Sequence, residues 1–126
     1  MKTLDKKSII SITALLIHAA KIDEQYSGHE KILIKEFIKS YLKNGNDDKI
    51  LKKAEEIEHN SNQLLNFTNL IKKNTTEVKS NVIKNLWKII ISDNKIDQYE
   101  SNLMRRICGL IYFPDKMCAE IKLRLL

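Results

Sequence analysis

Apolar residues recur every three or four positions along most of this chain, and the stretches that carry them are separated by short polar breaks. Ile9, Ile12, Leu16 and Ala20 share one face of a helix expected from about Leu4 to Ile22, capped by Thr3 or Asp5. A second helix is expected after Ser27, where Ser27 and Glu30 make an S-x-x-E capping box. It turns Leu33, Ile34, Phe37, Ile38, Tyr41 and Leu42 inward. Asn44 and Gly45 tolerate the left-handed conformation of a helix stop, and Asp47 is placed to cap a third helix over about 48–59, with Ile50, Ala54 and Ile57 on one side.

After "HNSN" at 59–62, Leu64, Leu65, Phe67, Leu70 and Ile71 mark a short fourth helix. "NTTE" at 74–77 reads as an Asn-x-x-Glu start for a fifth, whose stripe is Val78, Val82, Leu86, Trp87 and Ile90. Asp97 and Glu100 make a second capping box ahead of Leu103, Ile107, Leu110 and Ile111 on a sixth helix. Pro114 begins a seventh that carries Met117, Ile121 and Leu125 inward. The expected fold is all-α: one domain over residues 1–126, a bundle of about seven helices with two pseudo-repeated helix-loop-helix units. Three glycines, one proline and 43% hydrophobic residues agree, since hairpins need more turn-formers than that.

The repeat appears when the chain is slid against itself by 70 residues. Leu16 falls on Leu86, Asp23 on Asp93, Ser27 on Asp97, Glu30 on Glu100, Leu33 on Leu103 and Phe37 on Ile107, a shared D-x-x-x-[S/D]-x-x-E at each helix junction. Capping accounts for Ser27, Glu30, Asp97 and Glu100, because an N-cap with a glutamate three residues on satisfies orphan amide donors. Asp23 and Asp93 stand near the end of a preceding helix, where the macrodipole disfavours an anion, so loop amides or a bound cation must compensate. An EF-hand does not fit. With Asp93 at position 1, Lys95, Gln98 and Met104 occupy positions 3, 6 and 12, and in the first copy Gln25 and Ile34 occupy 3 and 12. A metal would need carboxylates drawn from both loops.

Charge changes the picture less than its size suggests. The net charge is +6, but nineteen of the 22 basic residues are lysines scattered singly among acids, as on solvated helix faces; a nucleic-acid role is disfavoured. Arg105 and Arg106 are two of only three arginines, and their planar guanidinium groups suit carboxylates and phosphates; Arg106 is expected to pair with acids of an adjacent helix. Cys108 and Cys118 sit in apolar patterns as two buried thiols of a reducing compartment. The uncharged run "SIISITALLIHAA" mimics a signal-peptide core, yet His18 and Asp5 spoil the cleavage context, and a first core helix in a cytoplasmic protein is the better account. No nucleophile elbow, phosphate loop or paired acid in an apolar setting points to catalysis. His18 is expected to be satisfied by solvent or a neighbour.

The repeated D-x-x-x-[S/D]-x-x-E, with "LWKIIISDNKIDQYESNLMRRICGLIYFPDK" in the second copy and "FTNLIKKN" between, resembles the TerB-like domains of tellurite-resistance proteins, in their small stand-alone bacterial branch. Tyr99, Glu100, Leu103, Arg105 and Arg106 lie in register with that family, followed by Asp115, Lys122 and Arg124. Where members read A-D-G at each loop, this chain has Ile22-Asp23-Glu24 and Ser92-Asp93-Asn94. The resemblance implies a helical bundle of two equivalent helix pairs, an acidic patch suited to divalent metal, and a role in membrane-associated stress complexes or scaffolding.

The expected function is a non-enzymatic module whose acidic loops, through Asp23, Glu30, Asp93, Asp97 and Glu100, bind a divalent cation or dock a protein partner. The alternative is a basic adaptor that meets an anionic membrane surface or nucleic acid through Arg105, Arg106, Lys122 and Arg124.

Overall fold

A computed structural model describes residues 5–22, 28–42, 47–61, 65–91 and 98–125. These residues form seven helices: α1 (Lys6–Ile22), α2 (Gly28–Tyr41), α3 (Asp47–His59), α4 (Leu65–Ile71), α5 (Thr76–Ile91), α6 (Gln98–Leu110) and α7 (Asp115–Leu125). The architecture is all-α, as the periodicity requires.

α1 is the central element. Between Ser8 and Ala20 only Ile10, Ser11 and His18 are less than fully buried, and α1 packs against every helix from α2 to α6, most extensively α3 and α4. Its start is set by Asp5, whose Oδ1 accepts the Ser8 amide at 2.9 Å, the N-cap to N3 bond that satisfies an orphan donor. The Ser8 hydroxyl, and after it the Ser8 amide, favour the ionised form and hold the Asp5 carboxyl below the usual carboxylate range. Thr13, fully buried on α1, donates its hydroxyl to the Ile9 carbonyl at 2.7 Å and so brings no unsatisfied group into the core.

The fifth helix starts one residue later than its sequence suggests. Thr75, not Asn74, is the N-cap: its Oγ1 accepts the Val78 amide at 3.2 Å. Asn74 instead donates Nδ2 to the Leu70 carbonyl at 2.8 Å and closes the end of α4. A short polar side chain can serve either helix end, and only the path of the turn decides which. α7 also departs from expectation. Met117, Ile121 and Leu125 are only half-buried, and the single fully buried residue of α7 is Cys118. Pro114 stands just before the helix, its carbonyl accepting the Cys118 amide at 3.1 Å.

α6 ends in a Schellman motif without a glycine at the left-handed position. The Phe113 amide bonds the Cys108 carbonyl at 2.8 Å, the Tyr112 amide bonds the Gly109 carbonyl at 3.4 Å, and Tyr112 carries φ 59°. A side chain in this region costs roughly 1–2 kcal/mol, and Tyr112, 74% exposed, recovers little of it by burial. Tyr112→Gly is therefore expected to raise the melting temperature by about 4 °C, a gain of about 1 kcal/mol, whereas Tyr112→Val should lower it. Differential scanning calorimetry of the two variants reads the opposite signs directly.

Candidate functional site

The acidic set falls at the α1–α2 and α5–α6 junctions. Asp23, Asp93 and Asp97 lie outside the described residues, as do their loops, and of Glu100 only the backbone, in the first turn of α6, is described. Glu30, in the first turn of α2, is 6% exposed and engaged within the fold. Among the described residues no three His, Cys, Asp or Glu side chains gather around a common point that would hold a metal ion.

The helices that frame these junctions follow the 70-residue offset closely. α2 begins at Gly28 and α6 at Gln98. All seven buried positions of α5, from Val78 to Ile90, have buried counterparts 70 residues earlier on α1, from Ser8 to Ala20. Met104, Ile107 and Cys108 on α6 likewise answer Ile34, Phe37 and Ile38 on α2, all buried. The match extends from the acidic motif to the faces that seat it. α1 carries further buried residues, Ile9, Ala14 and Leu15, in keeping with its more extensive packing against α3 and α4.

The four basic candidates divide between two helices and three environments. Arg105 and Arg106 are both exposed on α6, and among the described residues neither takes an ion-pair partner, so the expected pairing of Arg106 with acids of a neighbouring helix is not found there. On α7, Lys122 places Nζ 5.1 Å from the Trp87 ring centroid, a cation–π contact. Arg124 borders an open groove of about 760 Å³ between the end of α2, the first half of α5 and the second half of α7. Val78, Met117, Ile121 and Leu125 supply its apolar wall, and Lys84 and Arg124 oppose Glu77 and Glu120 around it. Asn81 donates Nδ2 to the Tyr41 hydroxyl at 2.8 Å and ties α5 to α2 across the groove. The Ser40 hydroxyl is committed to the Phe37 carbonyl at 2.6 Å, which leaves it poorly placed as a nucleophile.

Sequence reasoning missed one charged cluster. Glu58 is buried on α3, and its carboxylate accepts Lys21 Nζ at 2.7 Å and meets His18 Nδ1 at 3.3 Å, both from α1. The Phe67 ring lies 6.1 Å from the His18 ring. This answers the question of His18's neighbour. The missed signal was periodic: Glu58 continues the inward stripe of Leu51 and Ala54 at helical spacing. Its acid thus fastens the ends of α1 and α3 just before the α1–α2 junction. At the other end of α3, Lys35 and Asp48 pair at 2.9 Å, which holds the Lys35 pKa up and the Asp48 pKa down.

Against known proteins, residues 10–123 match the family model described as "Tellurite resistance protein TerB". No curated protein and no solved structure matches the chain.

Proposed function

The chain belongs to the tellurite resistance protein TerB family, and on that premise we propose that it is a non-enzymatic cytoplasmic binding module whose two acidic helix junctions take a divalent cation or dock a protein partner. The observation that carries the proposal is the shared frame of the two junctions: helix starts 70 residues apart, with buried faces matching on both flanking helices. In the sequence, Asp23 and Asp93 stand 70 residues apart at corresponding positions of the two junctions. Capping is the ordinary role for Ser27, Glu30, Asp97 and Glu100 in this sequence pattern, so Asp23 and Asp93 are the acids we assign first to a ligand. Hard cations such as calcium, magnesium and manganese suit carboxylate oxygen.

Calorimetric titration of the chelator-stripped protein with calcium, magnesium, manganese and zinc tests this, repeated on the Asp23→Asn/Asp93→Asn double variant. Binding heat and a metal-dependent rise in melting temperature are expected for the native chain alone; a ligand at a hundredfold excess over its Kd adds about 2.7 kcal/mol of stability. Silence at millimolar metal removes the cation and leaves protein docking.

A basic adaptor for anionic surfaces rests on a narrower observation, the exposed and ion-pair-free state of Arg105 and Arg106 among the described residues. Binding to anionic vesicles through these two should weaken steeply as salt rises and fail in the Arg105→Ala/Arg106→Ala variant.

A further inference from the structure

Of the seven helices, α7 buries the fewest of its described residues, Cys118 alone. Met117, Ile121 and Leu125, spaced by four, form one stripe along it, and that stripe is only half-buried on the wall of the groove of about 760 Å³. The groove lies at the ends of α2 and α5 away from the two acidic junctions. It is therefore a surface that the proposed binding site does not use.

Charges border the stripe in a set order. Glu120 and Arg124 are exposed, stand one helical turn apart on its outer flank, and both line the groove. An acid followed four residues later by a cation is the spacing at which the two ordinarily pair within a helix. Here neither takes an ion-pair partner among the described residues. A partner that fits must bring an apolar stripe of its own, flanked by a cation and an acid one turn apart in the reverse order. α7 itself meets that requirement.

We propose that the groove is a self-association surface, on which α7 of a second copy lies antiparallel to α7 of the first, with the two-fold axis close to Ile121. Pairing about that residue sets Met117 of each copy against Leu125 of the other and Ile121 against Ile121, so the stripe closes on itself. It also brings Glu120 of each copy to about 3 Å along the helix axis from Arg124 of the other, an offset that both long side chains span, and symmetry makes the pair twice. A parallel arrangement would set Glu120 against Glu120 and Arg124 against Arg124, which is unfavourable at both. Charge selects the direction as well as the partner.

The rim argues against a simple anion as the occupant. Lys84 and Arg124 are matched by Glu77 and Glu120 around the same groove, so a carboxylate or phosphate would meet like charge as often as opposite. The far wall suits a protein surface. Tyr41 is held there by the Asn81 Nδ2 donor at 2.8 Å and by the Phe37 ring at 5.2 Å, a preorganised aromatic edge of the kind interfaces favour. An eleven-residue helix is about 16 Å long, so the contact is at the small end of specific interfaces and the dimer exchanges with monomer.

Sedimentation velocity of the 126-residue chain at neutral pH, over a concentration series that reaches the millimolar range, tests this. A reversible monomer–dimer equilibrium is expected. Arg124→Glu alone should weaken dimerisation about tenfold, since one reversal spoils both symmetric pairs, and Glu120→Lys alone should do the same. The double variant Glu120→Lys/Arg124→Glu exchanges the two signs and should recover native dimerisation. Ile121→Glu, which puts two carboxylates at the axis, should abolish it. These positions are exposed or half-buried, and circular dichroism confirms that each variant is folded.

A chain that stays monomeric at every concentration would overturn the proposal and leave the groove to an unrelated helix or an apolar ligand. A dimer that survives Ile121→Glu, or that the charge exchange fails to restore, would overturn it equally, because association would then use another face.

Discussion

Leu16→Ala is expected to destabilise the fold by about 3 kcal/mol and to lower the melting temperature by about 10 °C. Leu16 is fully buried on α1, and α1 is packed by α2, α3, α4, α5 and α6. The cost has two parts, the transfer free energy of the deleted carbons and the cavity that remains. The second part sets the magnitude here. A site walled by helices on several sides collapses poorly, since no one of them can move inward without opening a gap against its other neighbours. Urea denaturation with an unchanged slope would measure it. A loss below about 1 kcal/mol would mean that Leu16 is not at the centre of the bundle.

Lys21→Met should destabilise by about 2 kcal/mol, more than Glu58→Gln at about 1 kcal/mol, although both remove the same ion pair. The asymmetry follows from burial. The Glu58 side chain is 9% exposed, while those of Lys21 and His18 are 39% and 34% exposed. Removing Lys21 leaves a carboxylate in the interior with only the 3.3 Å His18 contact, and water cannot replace what was lost. Removing the charge of Glu58 instead leaves the partly exposed Lys21 ammonium and His18 ring, which water readily solvates. Thermal denaturation of the two single variants and the double gives the coupling energy. Equal losses would place Glu58 in contact with solvent.

The same comparison bears on the proposed binding junction. Glu58, Lys21 and His18 hold α1 to α3 within a few residues of Ile22, where α1 hands over to the loop that contains Asp23. A variant that loosens this fastening should weaken any ligand that needs the first junction and spare the second. The duplicated frame therefore allows one half of the site to be tested against the other.

What the chain determines by itself is the set of helices, their buried faces and their repeat, because these depend on neighbours three and four residues away. α2 begins after Ser27 as its capping box requires, and Phe37, Ile38, Leu86 and Ile107 are buried where the periodicity puts them. Family membership was legible for a related reason: the acidic motif and its flanking apolar positions lie at fixed spacings along the chain.

Only tertiary structure decided the rest. Thr75 rather than Asn74 caps α5 because the turn after α4 claims the asparagine. Glu58 is buried where Lys21 and His18 of α1 stand opposite it. The Met117–Ile121–Leu125 stripe borders an open groove because it faces the end of α2 and the start of α5 across that space. Lys122 of α7 lies over the Trp87 ring of α5 because those two helices pack together. The physical reason is common to all four. Helical periodicity identifies the apolar side of an element, but what covers that side, and whether a polar atom within it finds a partner, depends on residues distant in sequence whose approach no local spacing encodes.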